Sequence, residues 1–506
     1  MATWGVVVSL IAASVLFSGV HAQVAGQQSQ QHGFIRVSGQ NFVDDQCNDF
    51  TFSGYNTWEA IEAAANTCCG GRAGLNEQLQ TAVANNFTVV RMFGFAVEEG
   101  VNLQTAPGVY NESLFRAFDY VVARAGQLGL KLIPALANNW HYNSNSTDNK
   151  CWYVNHTENA EECDEFWTNP ETIQMYKNHA HAVMTRNNSI TGVRYGQDPT
   201  FFAWDLINEG RCESANCTAA DLQSWTEEVA PYVKNLTRSL LTIGQEGFYQ
   251  AANCHANNVN PAPNSDKWVL ATGQDFLPNH MARGIDYASI HLWPDNWART
   301  DDPFGYGWLY AHMEDAQTAG KPLVLEEFGK ASAPFSTDNN QYGVDATPLS
   351  QEQYYKIVYA IAEASMNDDP STPWTSSLKG IALWRWDAVD SGGLSSKDEA
   401  LTLNSSSEAF TNVVLPFSQR VKARSQSSHP VRGCTPIRPA NASSAAGPSI
   451  SVSSISNAGR RLAQASQHRD QSVAQPPSHP VPTAANINAA VTNCSAYSVY
   501  SLAGSQ

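Results

Sequence analysis

Two apolar runs of this chain end abruptly in carboxylates: Trp204-Asp205-Leu206-Ile207-Asn208-Glu209-Gly210-Arg211 and Leu323-Val324-Leu325-Glu326-Glu327-Phe328-Gly329. Two carboxyl groups at neighbouring strand ends are what cleavage of a glycosidic bond requires. One hands a proton to the leaving oxygen, and the other, ionised, attacks the anomeric carbon, so their surroundings must split their pKa values. Asn208 precedes Glu209 and could bond the sugar 2-hydroxyl as charge develops on the ring, while Arg91, ending an earlier run, could hold Glu327 ionised. Glu209 is therefore read as the acid and Glu327 as the nucleophile. Strand alternation puts Glu326 and Glu327 on opposite faces, so only one of them is expected at the site. A single Glu at a strand end is usually a solvated terminus, a lone Arg91 a structural ion pair and a lone His291 a satisfied imidazole; the combination carries the reading.

Something must hold these groups together. Eight short apolar runs recur along the chain: Phe50–Trp58, Val89–Phe95, Lys131–Trp140, Phe201–Glu209, Trp268–Phe276, Tyr287–Pro294, Pro322–Gly329 and Gly380–Asp387. Most are continuous enough to be strands buried on both faces. Between them, Glu112–Leu128, Pro170–Arg186, Asp221–Leu241, Trp308–Ala319 and Gln351–Ala364 carry apolar residues at helical spacing. Strand and helix in alternation predict a (β/α)8 barrel, an α/β fold. An open doubly wound sheet fits less well. No Gly-rich phosphate loop follows the first strand, and polar or aromatic residues (Asn56, Arg91, Asn138, Glu209, His291, Glu327 and Trp384) gather at the C-terminal ends of the runs, where barrels keep their chemistry.

Composition bounds the rest. Across 506 residues the formal net charge is -17, which disfavours nucleic acid and anionic membrane surfaces as partners and suits a neutral substrate. Residues 1–22 read as a signal peptide ending in Val20-His21-Ala22, followed by a Gln-rich segment at 23–32, a catalytic domain at 33–422 and a Ser/Ala/Pro-rich tail at 423–506. The tail carries only Tyr497 and Tyr500 as aromatics, too few for a sugar-binding module. Secretion, with no membrane span after signal removal, is expected. Sequons at Asn86, Asn111, Asn145, Asn155, Asn187, Asn216, Asn235, Asn404, Asn441 and Asn493 agree with it, as does an even count of 10 cysteines. Cys151 with Cys163 and Cys212 with Cys217 are the expected local disulfides, while Cys434 and Cys494 leave open a tether to the barrel or to another chain. Without a Cys-X2-Cys pair or a Cys/His cluster at zinc spacing, neither metal nor cofactor is expected, and the protein is expected to be a monomer.

From Phe34 to about Pro416 the residues resemble the endo-β-1,4-mannanases of glycoside hydrolase family five, plant and fungal type. Close stretches are Val109-Tyr110-Asn111-Glu112, Leu136-Ala137-Asn138-Asn139-Trp140, Phe166-Trp167-Thr168-Asn169-Pro170, Ile190-Thr191-Gly192-Val193-Arg194-Tyr195 and Asp198-Pro199-Thr200-Phe201-Phe202-Ala203-Trp204. The resemblance implies a retaining mechanism on β-mannan, with Glu209 as acid/base, Glu327 as nucleophile, and Arg91 and Asn208 in support. It further implies a sixth-strand His at His291, an eighth-strand Trp platform at Trp384, a leaving-group-side Arg at Arg211, and glycone-side residues at Asn138 and Trp140. Trp58, Trp293 and Trp297 are further candidate stacking surfaces, since sugar rings present apolar faces.

The chain departs from the family in two places near the chemistry. Gly210 stands where a proline usually follows the acid, freeing the backbone there, and Trp293 stands where a Tyr usually bonds the nucleophile. Asp205 where a Glu is common is a milder change. Three readings follow: a secreted endo-mannanase, a related barrel acting on another β-1,4-glycan or favouring transglycosylation, and a non-catalytic wall-binding barrel.

Overall fold

In the computed structural model, residues 33–437 are described apart from 142–145, 254, 257–258, 262–267, 298–302, 333–334, 338–339, 343–348, 369–375 and 389–399. The signal, the Gln-rich segment, the tail beyond 437, Cys254, Cys494 and the sequons Asn145, Asn441 and Asn493 lie outside the described residues.

Eight parallel strands form one sheet: β1 (Phe52–Thr57), β2 (Val89–Phe93), β3 (Lys131–Ala135), β4 (Ala203–Asp205), β5 (Leu240–Thr242), β6 (Ala288–Leu292), β7 (Leu323–Phe328) and β8 (Leu378–Leu383). Neighbours in sequence are neighbours in the sheet, and β8 pairs back onto β1. The remaining seam, β5 to β6, is stitched by Asp286 N–H to the Leu241 carbonyl (2.8 Å) and His291 N–H to the Glu246 carbonyl (3.0 Å). The sheet is thus the expected (β/α)8 barrel.

Helices alternate with the strands on its outside: α1 (Gly71–Ala84), α2 (Glu112–Leu128), α3 (Pro170–Thr185), α4 (Ala219–Lys234), α5 (Phe276–Met281), α6 (Pro303–Ala319), α7 (Gln351–Met366) and α8 (Leu415–Gln426). Local signals start several of them. Asn111 caps α2 by accepting from Ser113 N–H, Asn169 caps α3 with Pro170 at its first turn, and Thr218/Asp221 and Ser350/Gln353 form capping boxes on α4 and α7.

The fifth strand is not where its apolar run predicted. Trp268–Ala271 is a single helical turn, and the strand is Leu240–Thr242, which the sequence reading had absorbed into the preceding helix. Leu236, Leu240 and Leu241 prolong the apolar spacing of α4, yet that helix stops at Lys234, whose ammonium bonds the Ser239 carbonyl (2.8 Å) across the turn. Sheet pairing then overrides the helical pattern.

A hairpin, Arg36–Ser38 with Asn41–Val43, closes the floor of the barrel. Its fully buried Phe42 packs edge-on to Phe202 (5.0 Å) and Tyr287 (5.5 Å), burial that stabilises by about 1.5–3 kcal/mol. Gly380 in β8 makes room for the Phe52 ring, which a Cβ would meet at 2.1 Å. Order continues past residue 422: α8 crosses it, and a Cys47–Cys434 disulfide ties the following segment to the N-terminal hairpin region. Cys151–Cys163 and Cys212–Cys217 pair as expected, and Cys68 pairs with its neighbour Cys69. Of the described sequons, Asn155, Asn187, Asn216, Asn235 and Asn404 are exposed, Asn86 and Asn111 half-buried.

Candidate active site

Arg91, in the middle of β2 and fully buried, organises the barrel mouth. Its Nε donates to Asp205 Oδ2 at the end of β4 (2.8 Å), its Nη2 to Asn208 Oδ1 (2.9 Å), and its Nη1 to both Asn56 Oδ1 (3.1 Å) and the Glu327 carboxylate. Burial works against this cation, but the charges of Asp205 and Glu327 outweigh burial and hold it protonated. Asp205, the mild departure, is thereby a direct partner of Arg91.

Glu326 breaks the simple alternation. The pairing of β6 with β7 slips between Ile290 and His291, so that His291 faces Glu327 and Glu326 is skipped. Both carboxyls therefore turn toward Arg91: Glu327 bonds it, and Glu326 lies 3.8 Å from its Nε while accepting from Tyr287 Oη (2.7 Å). Burial and the Asp205 charge, opposed by Arg91, push Glu326 up to about 8, so at neutral pH it is the uncharged neighbour of the pair.

Glu209 follows β4 in a left-handed conformation (φ 52°), its N–H donating to the Gly244 carbonyl (2.7 Å). Trp140 Nε1 donates to Glu209 Oε2 (2.6 Å), and His291 Nδ1 lies 2.8 Å from Glu209 Oε1 and 3.5 Å from Glu327 Oε2. A ligand atom from each of Glu209, His291 and Glu327 lies within 4.8 Å of the other two. Burial raises the Glu209 carboxyl, but the hydrogen bond and charge of His291, the Arg211 charge and the Trp140 N–H prevail and bring it down to about 2. Burial likewise disfavours the His291 cation, and the Glu327 charge with the Glu209 hydrogen bond prevails and raises it. His291, its cation favoured by the two glutamates, lies between both carboxylates.

Asn208 uses its oxygen on Arg91 and donates from Nδ2 to Asn138 Oδ1 (3.0 Å), leaving one amide N–H for a ligand. Trp140 lies beside the acid with Arg211 stacked over its ring (5.0 Å), on the Arg211 side of the mouth rather than with Trp58 and Trp384. Those two, both half-buried, pack on the cluster of Phe93, Phe95, Val97 and Ala135. Trp293 is nearly buried, edge-on to Trp384 (6.3 Å) and over Gly329, where a Cβ would meet it at 2.7 Å. Among the described residues Glu327 is held by Arg91 and faced by His291, and Trp293 does not bond it. Trp297 is buried against Phe248 and Trp308, a core residue.

Gly210 is enclosed. Its Cβ position is closed by Trp167 (2.8 Å) and Ile207 (2.9 Å), and its carbonyl accepts from Gln274 Nε2 (3.0 Å). Glu246 and Gln274 were missed in the sequence. Glu246 bonds Arg211 Nε (2.5 Å) and Gln274, and it lies just beyond β5, the strand whose position was misread. The cue was Leu240-Leu241-Thr242-Ile243 with Gly244 and an acidic residue after it.

Paired carboxylates bridged at the mouth of a (β/α)8 barrel define a glycoside hydrolase. Residues 32–393 match the family model described as GH family 5 beta-mannosidase-like. The chain is 36% identical over 390 residues to putative mannan endo-1,4-beta-mannosidase 9 of Oryza sativa subsp. japonica, covering 76% of this chain and 90% of that one. It is 38% identical over 309 residues to mannan endo-1,4-beta-mannosidase 1 of Arabidopsis thaliana, covering 59% and 72%. The endo-1,4-beta-mannanase structure from Rhizomucor miehei has the same fold (TM-score 0.59, 23% identity, 77% of this chain and 99% of that chain). The chain belongs to the glycoside hydrolase family 5 β-mannosidase-like family.

Proposed function

We propose that this protein is a secreted, endo-acting β-1,4-mannanase that cleaves mannan, galactomannan or glucomannan with retention of configuration. The spacing of Glu209 and Glu327 carries the reading. Facing oxygens within 4.8 Å suit direct attack by one carboxylate, whereas an inverting pair stands about 6.5–9.5 Å apart to admit a water. The mannan assignment draws on the activity named for its relatives.

In the first step a Glu327 oxygen attacks the anomeric carbon, the bond to the leaving oxygen breaks, and that oxygen takes a proton from Glu209. In the second, Glu209 takes a proton from water as the water's oxygen displaces Glu327 from the sugar. His291 links the steps. The Glu327 charge is the foremost influence holding the imidazolium, so when that charge is consumed in the new bond, the His291 proton is released along the 2.8 Å contact toward Glu209. Asn208, with its free N–H, is placed for the 2-hydroxyl, and Trp58 and Trp384 supply apolar faces on the far side from Arg211. Four disulfides among the described residues agree with an oxidising, extracellular setting.

The test is reducing-end release from galactomannan, glucomannan and carboxymethylcellulose. Release from the first two and not the third is expected. Release from carboxymethylcellulose alone would identify a glucanase, and binding to mannan without release a non-catalytic barrel.

A further inference from the structure

The segment after the acid, residues 210–214, belongs to no helix or strand, yet its backbone is tied down by side chains from elsewhere. Arg211 N–H donates to Asn139 Oδ1 (3.0 Å), and the Arg211 carbonyl accepts from Trp167 Nε1 (3.2 Å) and Lys150 Nζ (2.9 Å). Glu213 N–H and Ser214 N–H both donate to Asp164 Oδ2 (2.6 Å each). Lys150 is the hub. Its ammonium is fully enclosed, 0% exposed, and meets Asp164 Oδ1 (2.5 Å) and Glu213 Oε2 (2.7 Å) besides the Arg211 carbonyl, so its three protons have three acceptors. Each of the three charged residues adjoins a disulfide cysteine: Lys150 next to Cys151, Asp164 next to Cys163, Glu213 next to Cys212.

We propose that Lys150, with Asp164, is a positioning residue for the leaving-group side of the site, fixing the Arg211 backbone so that its guanidinium stands ready for the sugar units beyond the cleaved bond. The inference rests on the site acting on a glycan chain. An acid stands beside the leaving group, so the residue two positions beyond it, stacked on Trp140 on the acid's side of the mouth, faces the leaving-group sugars. A lysine taken wholly out of water, with a buried aspartate beside it, carries a desolvation penalty that a loop need not bear for folding alone. What the pair secures is geometry: the guanidinium is held by Glu246 and three aromatic rings at one end, and its backbone by Lys150 at the other. Burial raises the Asp164 carboxyl, but the Lys150 contact and the two backbone N–H groups overcome it and lower it, so the lock stays charged well into acid.

The experiment compares kcat/KM for mannohexaose, which extends past the cleaved bond, with that for 2,4-dinitrophenyl β-mannobioside, whose leaving group is one small ring. Lys150→Met and Asp164→Asn are measured in the full chain beside the unmutated protein, with melting temperatures. Both variants are expected to lose about 10- to 100-fold on mannohexaose and to stay within about threefold on the aryl substrate. Asp164→Asn keeps the side chain's shape and an oxygen for the loop N–H groups, so it serves if Lys150→Met does not fold. Equal losses on both substrates, or none on mannohexaose, would overturn the proposal. Failure of the unmutated protein on both would overturn the functional reading beneath it instead.

Discussion

Glu327→Ala is expected to lower kcat on galactomannan by about 10⁵-fold or more, because the carboxylate that forms the covalent bond is gone. Glu326, the nearest substitute, sits beneath the mouth bonded to Tyr287 and carries a proton at neutral pH. The fold should survive. Arg91 keeps Asp205, Asn56 and Asn208 as partners, so its charge is not left bare, and circular dichroism should match the unmutated protein. Azide fits the space the side chain vacates and should restore turnover of an aryl mannobioside, giving a glycosyl azide of opposite anomeric configuration. Activity within tenfold of the unmutated protein would remove Glu327 from the mechanism.

The second large effect is at Glu209. Alanine there should cost about 10²–10⁴-fold in kcat/KM on mannan, whose leaving alkoxide needs a proton, and far less on 2,4-dinitrophenyl β-mannobioside, whose leaving group does not. Loss of equal size on both substrates would contradict the acid role. The pH profile separates the roles further. The acid's proton is shared with His291, whose pKa is raised, so protonation is complete below the ordinary histidine range and is lost as pH rises through the raised value. The unmutated protein should therefore keep kcat/KM on mannan to a higher pH than an ordinary histidine would allow and lose it as pH rises through the raised His291 value. That limb should vanish in Glu209→Ala with the dinitrophenyl substrate.

Much of this arrangement was legible in the sequence because it is written in strands buried on both faces. Val89–Phe93, Lys131–Ala135 and Leu323–Phe328 are buried at every residue and mostly apolar, and Arg91, Asn138 and Glu327 lie within them or a few residues beyond. What was hidden depended on tertiary choice. Leu240–Thr242 is short and continues the apolar period of α4, so its pairing with β4 outweighs a helical pattern against which the Leu240–Ile243 cue is weak, and with it went Glu246. The slip at Ile290/His291, which brings Glu326 and Glu327 to one arginine, leaves no mark that strand alternation can detect. Nor could spacing show that Gly210 sits against Trp167, or that Lys150, at the start of the short helix Lys150–Val154, reaches the Arg211 carbonyl. The two departures near the chemistry changed meaning accordingly: Gly210 is enclosed rather than free, and Trp293 packs on Gly329 while Arg91 and His291 attend the nucleophile.

The central claim is a covalent sugar on Glu327. Incubation with 2,4-dinitrophenyl 2-deoxy-2-fluoro-β-mannobioside, whose fluorine slows the second step more than the first, should inactivate the enzyme and add one fluoromannobiosyl mass, located by peptide sequencing to the Glu327 residue of Glu326-Glu327-Phe328-Gly329. Label on Glu326 or another carboxyl, or an unlabelled enzyme releasing products of inverted configuration, would contradict it.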